Sequence, residues 1–129
     1  MSVDCPLKTS ERMDTDRLDR LVQRFAAAAV AHAAAVDAMD ETGANRHAAM
    51  IGRLWLAMVA AGLPGQEWLL SLLDDERLPV AGMAAVYGMR SNPDRCVTVL
   101  CHIAREPGLL GFRAAAALER WKAGDWDLP

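Results

Sequence analysis

Histidine and cysteine, the side chains best suited to metal binding and acid–base chemistry, occur three times each in the 129 residues of this sequence. Cys96, Cys101 and His102 stand closest together and form the combination that most suggests a metal site. On a helix, however, positions five residues apart point about 140° away from each other, whereas helical ligand pairs are spaced by three or four residues. Because a zinc site also needs four converging ligands, the sequence predicts structural cysteines, no metal and no cofactor.

His32 is a second candidate for chemistry, because it lies on the apolar stripe of the first predicted helix. It could act as a general base or a ligand, but the preferred interpretation is a core histidine that is hydrogen-bonded to a neighbouring helix. No serine, histidine and aspartate form a recognisable nucleophile elbow, and the glycines stand singly instead of forming a phosphate-binding loop. We therefore predict that the protein is not an enzyme. A small enzyme that uses His32 or the carboxylates is an alternative.

Two short groups of carboxylates are the remaining candidates for acid–base work. The first acidic group comprises Asp37, Asp40 and Glu41, and the second acidic group comprises Asp74, Asp75 and Glu76. Both stand at expected helix ends, where acidic residues form turns and caps, so solvated turns are the preferred interpretation. The functional alternative is an acidic docking surface for a basic partner, where complementary charge raises association rate and specificity.

The four tryptophans divide into two pairs. Trp55 and Trp68 fall on apolar stripes and are predicted to lie in the core, whereas Trp121 and Trp126 are predicted to shield the end of the last repeat. Trp126 stands between two aspartates and has a second interpretation as an interface anchor, because Trp is enriched among residues that dominate binding energy. The candidate partner-binding residues are therefore the two acidic groups and Trp126.

The elements that must position these residues are helices, since 24 residues are Ala and 16 are Leu, both strong helix formers. Apolar residues recur at three- and four-residue steps in six segments, and single Pro and Gly residues mark their ends. The predicted helices begin at Asp14 or Thr15 and run to 39, then cover about 45–61, 65–73, 79–89, 93–106 and 111–122. Residues 1–13 show no such period, so the sequence predicts a flexible tail there and a single helical-repeat domain over 14–129.

The stripes also predict particular core residues. On the first helix Phe25, His32 and Met39 are expected to face the core, and on the sixth Phe112 and Leu118. Ala115 and Ala116 belong to the same predicted stripe of the sixth helix.

An internal repeat organises the second half of the chain. Residues 68–75 match 99–106 at a shift of 31, and residues 80–86 match 112–118 at a shift of 32. Each unit is a helix, a short turn and a helix of small residues, and such a pair needs a stacked neighbour to bury its apolar face. We therefore predict an all-α fold, a HEAT-like α-solenoid of about three helical hairpins whose first hairpin acts as a cap. An ordinary helical bundle is the alternative.

Several motifs carry a family resemblance over about residues 15–128. They are Leu21-Val22-Gln23-Arg24-Phe25 before an alanine-rich helix, Asn45-Arg46, the repeat unit 69–85, Gly111-Phe112, and the segment 118–126. In these features the chain resembles a family of short bacterial HEAT/armadillo-like α-solenoid proteins catalogued as a domain of unknown function (number twenty-nineteen). It departs from that pattern at residues 32–35 and at Gly82 and Gly88, which interrupt a helix.

The resemblance implies an α-solenoid, no established enzymatic activity and no catalytic residues. Genes of this kind look similar to those of immunity proteins, which neutralise a co-encoded toxin by binding it. The leading hypothesis is therefore a non-catalytic protein-binding α-solenoid, in its narrowest form an immunity protein. The excess of 8 acidic over 5 basic residues within 1–45 favours a basic toxin domain as the partner.

Charge and cysteine content bear on the other partners and on the compartment. The net charge is −3, and a protein that grips nucleic acid needs a basic stripe, so a nucleic-acid-binding role is the less favoured alternative. A local patch would have to come from Arg90, Arg95, Arg105, Arg113 and Arg120. An odd number of cysteines, no secretory signal and no apolar run long enough to span a bilayer predict a cytoplasmic protein without a membrane partner.

Overall fold

The computed structural model describes the backbone of residues 6–128 and the side chains of residues 15–128. The described backbone contains six α-helices, one 3₁₀ turn and no strand, which confirms the predicted all-α class. The helices are α1 (Pro6–Asp37), α2 (Glu41–Ala60), α3 (Leu63–Ser71), α4 (Leu78–Gly88), α5 (Pro93–Ile103) and α6 (Gly108–Lys122), and the 3₁₀ turn Leu72–Asp74 follows α3.

Helix α1 is longer than the apolar pattern predicts. It begins at Pro6 instead of Asp14 or Thr15, so residues 6–13 of the predicted tail are helical, and residues 1–5 lie outside the described part of the chain. Proline suits the first turn of a helix, and no Pro or Gly follows Pro6 until Gly43, beyond the end of α1. An apolar stripe indicates which residues pack against the core, not where a helix begins. Residues 6–13 can therefore be helical through their helix propensity alone, without such a stripe.

The other helix ends follow the local chemistry. Asp40 is the N-cap of α2, and its side chain accepts a hydrogen bond from the Gly43 N–H at 3.0 Å. Asn92 caps α5 in the same way by accepting from the Arg95 N–H at 3.3 Å. Helices α3, α4 and α5 each carry a proline in the first turn, where its missing N–H has no helical partner to lose.

Consecutive helices pack against each other in chain order. Helix α1 lies along α2 and also reaches α3 and α4, α4 packs on α5, and α5 packs on α6. Helix α4 therefore has neighbours on several sides, and its composition of small residues allows this. A Cβ atom on Gly82 would lie 3.3 Å from Ile103 Cδ1, and one on Gly88 would lie 3.0 Å from Leu70 Cδ2. Close approach of neighbouring helices thus accounts for both glycines inside α4.

The core runs through all six helices. Its largest fully buried side chains are Phe25, Ile51, Met58, Met89, Leu100, Ile103, Val80 and Cys96. The Phe25 ring meets Tyr87 edge to face, with centroids 6.0 Å apart and planes at 85°, an arrangement that aromatic pairs favour.

Four predicted core positions, Met39, Phe112, Ala115 and Ala116, are wrong. Met39 is 88% exposed because it lies in the α1–α2 turn, where its φ is +58°. Phe112 is 71% exposed because α6 buries the stripe of Gly111, Ala114 and Leu118. Alanine occupies both faces of α6, so the apolar pattern could not fix the rotation of this helix. Ala115 and Ala116 are exposed for the same reason.

Candidate functional site

A cleft of about 330 Å³ opens between α1 and α6, with α4 and α5 between them. We call it the α1–α6 cleft. Its lining residues are Ala29, His32, Ala33, Pro79, Gly82, Met83, Val86, Leu100, Ile103, Leu110, Arg113, Ala114, Ala116, Ala117, Arg120, Trp126, Asp127 and Leu128. Most of them are small or apolar, and four carry ionisable groups.

Small side chains leave room for the cleft. Ala29 and Ala33 stand one turn apart on α1, and Ala116 and Ala117 occupy the facing part of α6. Gly82 removes a side chain from α4 as well. The alanine-rich segments thus limit the bulk of the walls, in addition to letting neighbouring helices approach.

His32 is the titratable group most deeply set in the cleft, with 7% of its surface exposed. Burial first, then the charges of Arg113 and His47, hold the pKa of His32 below its ordinary value of 6.5. The predicted burial is confirmed, but no hydrogen bond from its ring to a neighbouring helix occurs among the described residues. Since no fully buried side-chain nitrogen or oxygen of the described residues lacks a partner, each ring nitrogen of His32 keeps some exposed surface.

The lowered pKa of His32 predicts a loss of stability as the pH falls. A base whose pKa is lower in the folded state binds fewer protons there than in the unfolded state, so stability rises with pH over that interval. The stabilisation is complete above the unfolded value of 6.5 and declines below it. We expect the free energy of unfolding in urea to fall from about pH 7 to about pH 5. A His32→Gln variant should give a flatter profile, and an equally steep one would contradict this reasoning.

Two arginines give the cleft a positive side. Arg113 and Arg120 lie seven residues apart on α6, which is about two turns, so they share one face of the helix. Both are exposed, and neither forms a salt bridge within residues 15–128. Asp127 is the acidic residue that lines the cleft with them.

The segment 125–128 follows α6 and lies along the cleft. The Arg90 guanidinium holds it by donating from Nε to the Leu128 carbonyl oxygen at 2.8 Å and from Nη2 to that of Trp126 at 2.9 Å. The Asp125 N–H donates to the Arg120 carbonyl oxygen at 2.9 Å. Trp126 is half-buried. These contacts attach the segment mainly through its backbone.

Trp126 also packs edge to face on Trp121, with ring centroids 5.7 Å apart. The contact places both tryptophans at the end of α6, the last helix, where they were predicted to shield the end of the last repeat. In addition, Trp126 lines the cleft. Of the predicted partner-binding residues, it is the one that the structure brings to this site.

The first acidic group lies at the α1–α2 turn, outside the cleft. Asp37 is the last residue of α1 and Glu41 the first of α2, and both are exposed. Asp40 serves as the N-cap between them. The cap bond gives Asp40 a structural role, as the preferred interpretation of a turn-forming group predicts.

The second acidic group lies between the 3₁₀ turn and α4. Asp75 accepts hydrogen bonds from the Arg77 guanidinium at 2.9 Å and from the Arg77 N–H at 2.8 Å, and these contacts lower the pKa of its carboxyl group. Asp74 pairs with Arg95 at 3.5 Å, and Glu76 is exposed. No hydrogen bond or ion pair in the described part of the chain joins this group to the first acidic group, and neither group lines the cleft.

Cys96 and Cys101 lie on different faces of α5, as their five-residue spacing predicts. Cys96 is buried in the core, where burial raises the pKa of its thiol to about 11, while Cys101 is exposed. The side chains of these two residues therefore diverge. Cys5 lies outside the described residues. Over the described chain, no three His, Cys, Asp or Glu residues come together as metal ligands.

Sequence reasoning missed most of the cleft. It named Arg90, Arg113 and Arg120 as part of a possible nucleic-acid patch, but Arg90 binds the chain's own backbone and the other two face the cleft. The available signal was the seven-residue spacing of Arg113 and Arg120, which places them on one face of a helix. Arg90 binds the carbonyl oxygens of Trp126 and Leu128, which are 36 and 38 residues away along the chain. No local sequence pattern reveals contacts over such distances.

Comparisons with protein-family models, with curated proteins and with solved structures found no match to this chain. Within the described residues, no helix combines the length and the apolar character that crossing a membrane requires.

Proposed function

We propose that the protein is a non-catalytic protein-binding α-solenoid that takes an extended polypeptide segment into the α1–α6 cleft. The observation that carries this proposal is the position of segment 125–128. Arg90 binds its backbone at two carbonyl oxygens beside the cleft. Backbone hydrogen bonds combined with pockets for side chains are a common way of recognising an extended peptide.

The chemistry of the lining favours binding over catalysis. Among the described residues, the lining of the cleft contains a histidine, two arginines and one aspartate between apolar and small residues, and it contains no Ser, Thr or Cys. Apolar walls with a few placed polar groups are typical of binding sites. A role for His32 as general base would need a partner that orients the ring, and its electrostatic neighbours, Arg113 and His47, are basic residues.

The packing of α1 to α6 in chain order supports the finer proposal of a HEAT-like α-solenoid of three hairpins. The narrowest form of the function is an immunity protein that neutralises a co-encoded toxin by binding it. A basic toxin domain on the two acidic groups has less support than the cleft, because the side chains of Asp40, Asp74 and Asp75 already bond to groups within the chain.

Co-purification with the product of the adjacent gene tests the proposal, together with rescue of growth when that product is toxic. The variant Ala116→Trp should abolish capture and rescue, because it fills the cleft from α6 with a large ring. Ala115→Trp is the matched control, since Ala115 is also exposed on α6 but does not line the cleft. Binding that survives Ala116→Trp would contradict the cleft as the site, and absence of both capture and rescue would remove the immunity form.

A further inference from the structure

We propose that the ligand of the α1–α6 cleft is an extended acidic segment in which carboxylate and bulky apolar side chains alternate, and that residues 125–128 occupy part of the cleft as its internal substitute. This inference rests on the proposed function and assigns the chemistry of the partner. The partner would bind by taking the place of segment 125–128.

The segment itself has the alternating character. Residues 125–128 read Asp, Trp, Asp, Leu, and successive side chains of an extended chain point to opposite sides. Trp126 and Leu128 are half-buried, whereas Asp125 and Asp127 are exposed. The apolar positions of the segment are therefore partly buried, its acidic positions stay exposed, and Asp127 lines the same cleft as Arg113 and Arg120.

The charges of the cleft favour an acidic partner. Arg113 and Arg120 line it and have no salt-bridge partner in the described chain, while Asp127 supplies one negative charge nearby. Among the described residues, two guanidinium groups without a salt bridge share the lining of the cleft with one carboxylate, which leaves a positive excess. Arginine binds carboxylates through two parallel hydrogen bonds, so carboxylates of a partner could pair with Arg113 and Arg120.

The field of Arg113 extends into the cleft, since it is one cause of the lowered pKa of His32. A bound carboxylate would offset that positive field. His47, the other charged neighbour of His32, is on α2 and does not line the cleft. A basic partner segment, by contrast, would place its charge beside Arg113 and Arg120 without compensation.

Apolar surface suited to the bulky residues of a partner lies on the same elements. Met83 and Val86 of α4 line the cleft with Trp126 and Leu128. Methionine adapts to irregular apolar groups, and a Trp or Leu of the partner could therefore replace Trp126 or Leu128.

Recognition of the backbone does not depend on sequence. The Arg90 guanidinium bonds two carbonyl oxygens that are two residues apart. Any extended segment presents carbonyls at this spacing, so a partner could accept the same two hydrogen bonds. Exchange of one segment for the other then leaves Arg90 satisfied.

Fluorescence anisotropy with a labelled peptide of the sequence of residues 124–128 tests the proposal on the full-length chain. Two further peptides replace both aspartates by asparagine or by lysine. We expect the acidic peptide to bind at least roughly tenfold more tightly than the asparagine peptide, which is the effect of one lost hydrogen bond to a charged group. The lysine peptide should bind most weakly.

Three variants locate the effect. Arg120→Glu should lower the affinity for the acidic peptide by roughly tenfold or more. The backbone carbonyl oxygen of residue 120 can still accept the hydrogen bond from the Asp125 N–H. Arg53→Glu is the control, because it makes the same charge change at an exposed position on α2 that does not line the cleft. Trp126→Ala should strengthen binding, because it weakens the internal competitor and leaves the positive face intact.

The outcomes separate this inference from the proposed function. Equal binding of the three peptides, or a preference for the lysine peptide, would overturn the acidic chemistry while the cleft remains a binding site. If both Arg120→Glu and Trp126→Ala bound the acidic peptide as tightly as the native chain does, the assignment of that peptide to the cleft would be overturned. Absence of binding by all three peptides, to Trp126→Ala as well as to the native chain, would overturn the inference, whereas loss of partner capture by Ala116→Trp would still support the function.

Discussion

Phe25→Ala is expected to lower the free energy of unfolding by about 3–5 kcal/mol, the usual cost of truncating a fully buried aromatic side chain. Phe25 has no exposed surface and stands in the middle of α1, where α1 meets α2 and α4. Its truncation removes apolar burial, leaves a cavity among helices, and breaks the edge-to-face contact with Tyr87. A loss of this size is a large part of the roughly 5–15 kcal/mol that stabilises a domain.

Urea unfolding followed by far-ultraviolet circular dichroism measures this effect. Leu56→Ala is the matched control, because it truncates a large apolar side chain on α2 that is 60% exposed. Its expected change lies within about 0.5 kcal/mol, as for most surface substitutions. Similar losses for Phe25→Ala and Leu56→Ala would show that the core is not where we place it.

Gly111→Ala is expected to destabilise the protein by at least about 3 kcal/mol, at the upper end of overpacking substitutions. A Cβ atom at Gly111 would overlap the carbonyl oxygen of Glu106 and lie 3.2 Å from that of Ala104. Backbone atoms cannot move aside as a flexible side chain can, so the α5–α6 turn would have to open. Gly65 meets the Met58 carbonyl oxygen in the same way at the start of α3.

Gly52→Ala provides the contrast for this prediction. Of the described residues, a Cβ atom there would approach only the Tyr87 hydroxyl oxygen, at an ordinary 3.8 Å. Since alanine is favoured over glycine in a helix by about 1 kcal/mol, this variant should be more stable than the native chain. Thermal unfolding of both variants measures the difference, and a Gly111→Ala variant as stable as Gly52→Ala would contradict the packing described for the α5–α6 turn.

The sequence predicted the helices well because their local signals agree. Pro79 and Pro93 mark the first turns of α4 and α5, and Gly62 follows the end of α2 with a φ of +75°. Each signal acts within a few residues, so no tertiary information is needed. The burial of His32 followed from the helical stripe for the same reason.

The sequence could not predict what depends on packing between distant elements. Alanine occupies several faces of α6, so the pattern gave the wrong rotation and placed Phe112 inside. The sequence left the acidic groups open to interpretation as turns, as acid–base groups or as a docking surface. The structure adds that Asp40 accepts a hydrogen bond from the Gly43 N–H and that Asp75 accepts one from the Arg77 guanidinium. The cleft arises where small residues of α1 and α6 face each other, and a single helix does not show which of its faces will meet another.

Chemical-shift mapping on the full-length, ¹⁵N-labelled protein tests the binding function of the cleft most directly. The probe is the unlabelled acidic peptide with the sequence of residues 124–128. We expect the largest shift changes at the backbone amides of 29–33, 82–86 and 113–120 and at the indole N–H of Trp126, which would be displaced. Changes confined to the turns that hold the two acidic groups, or spread over α2 with none at the cleft, would contradict the account.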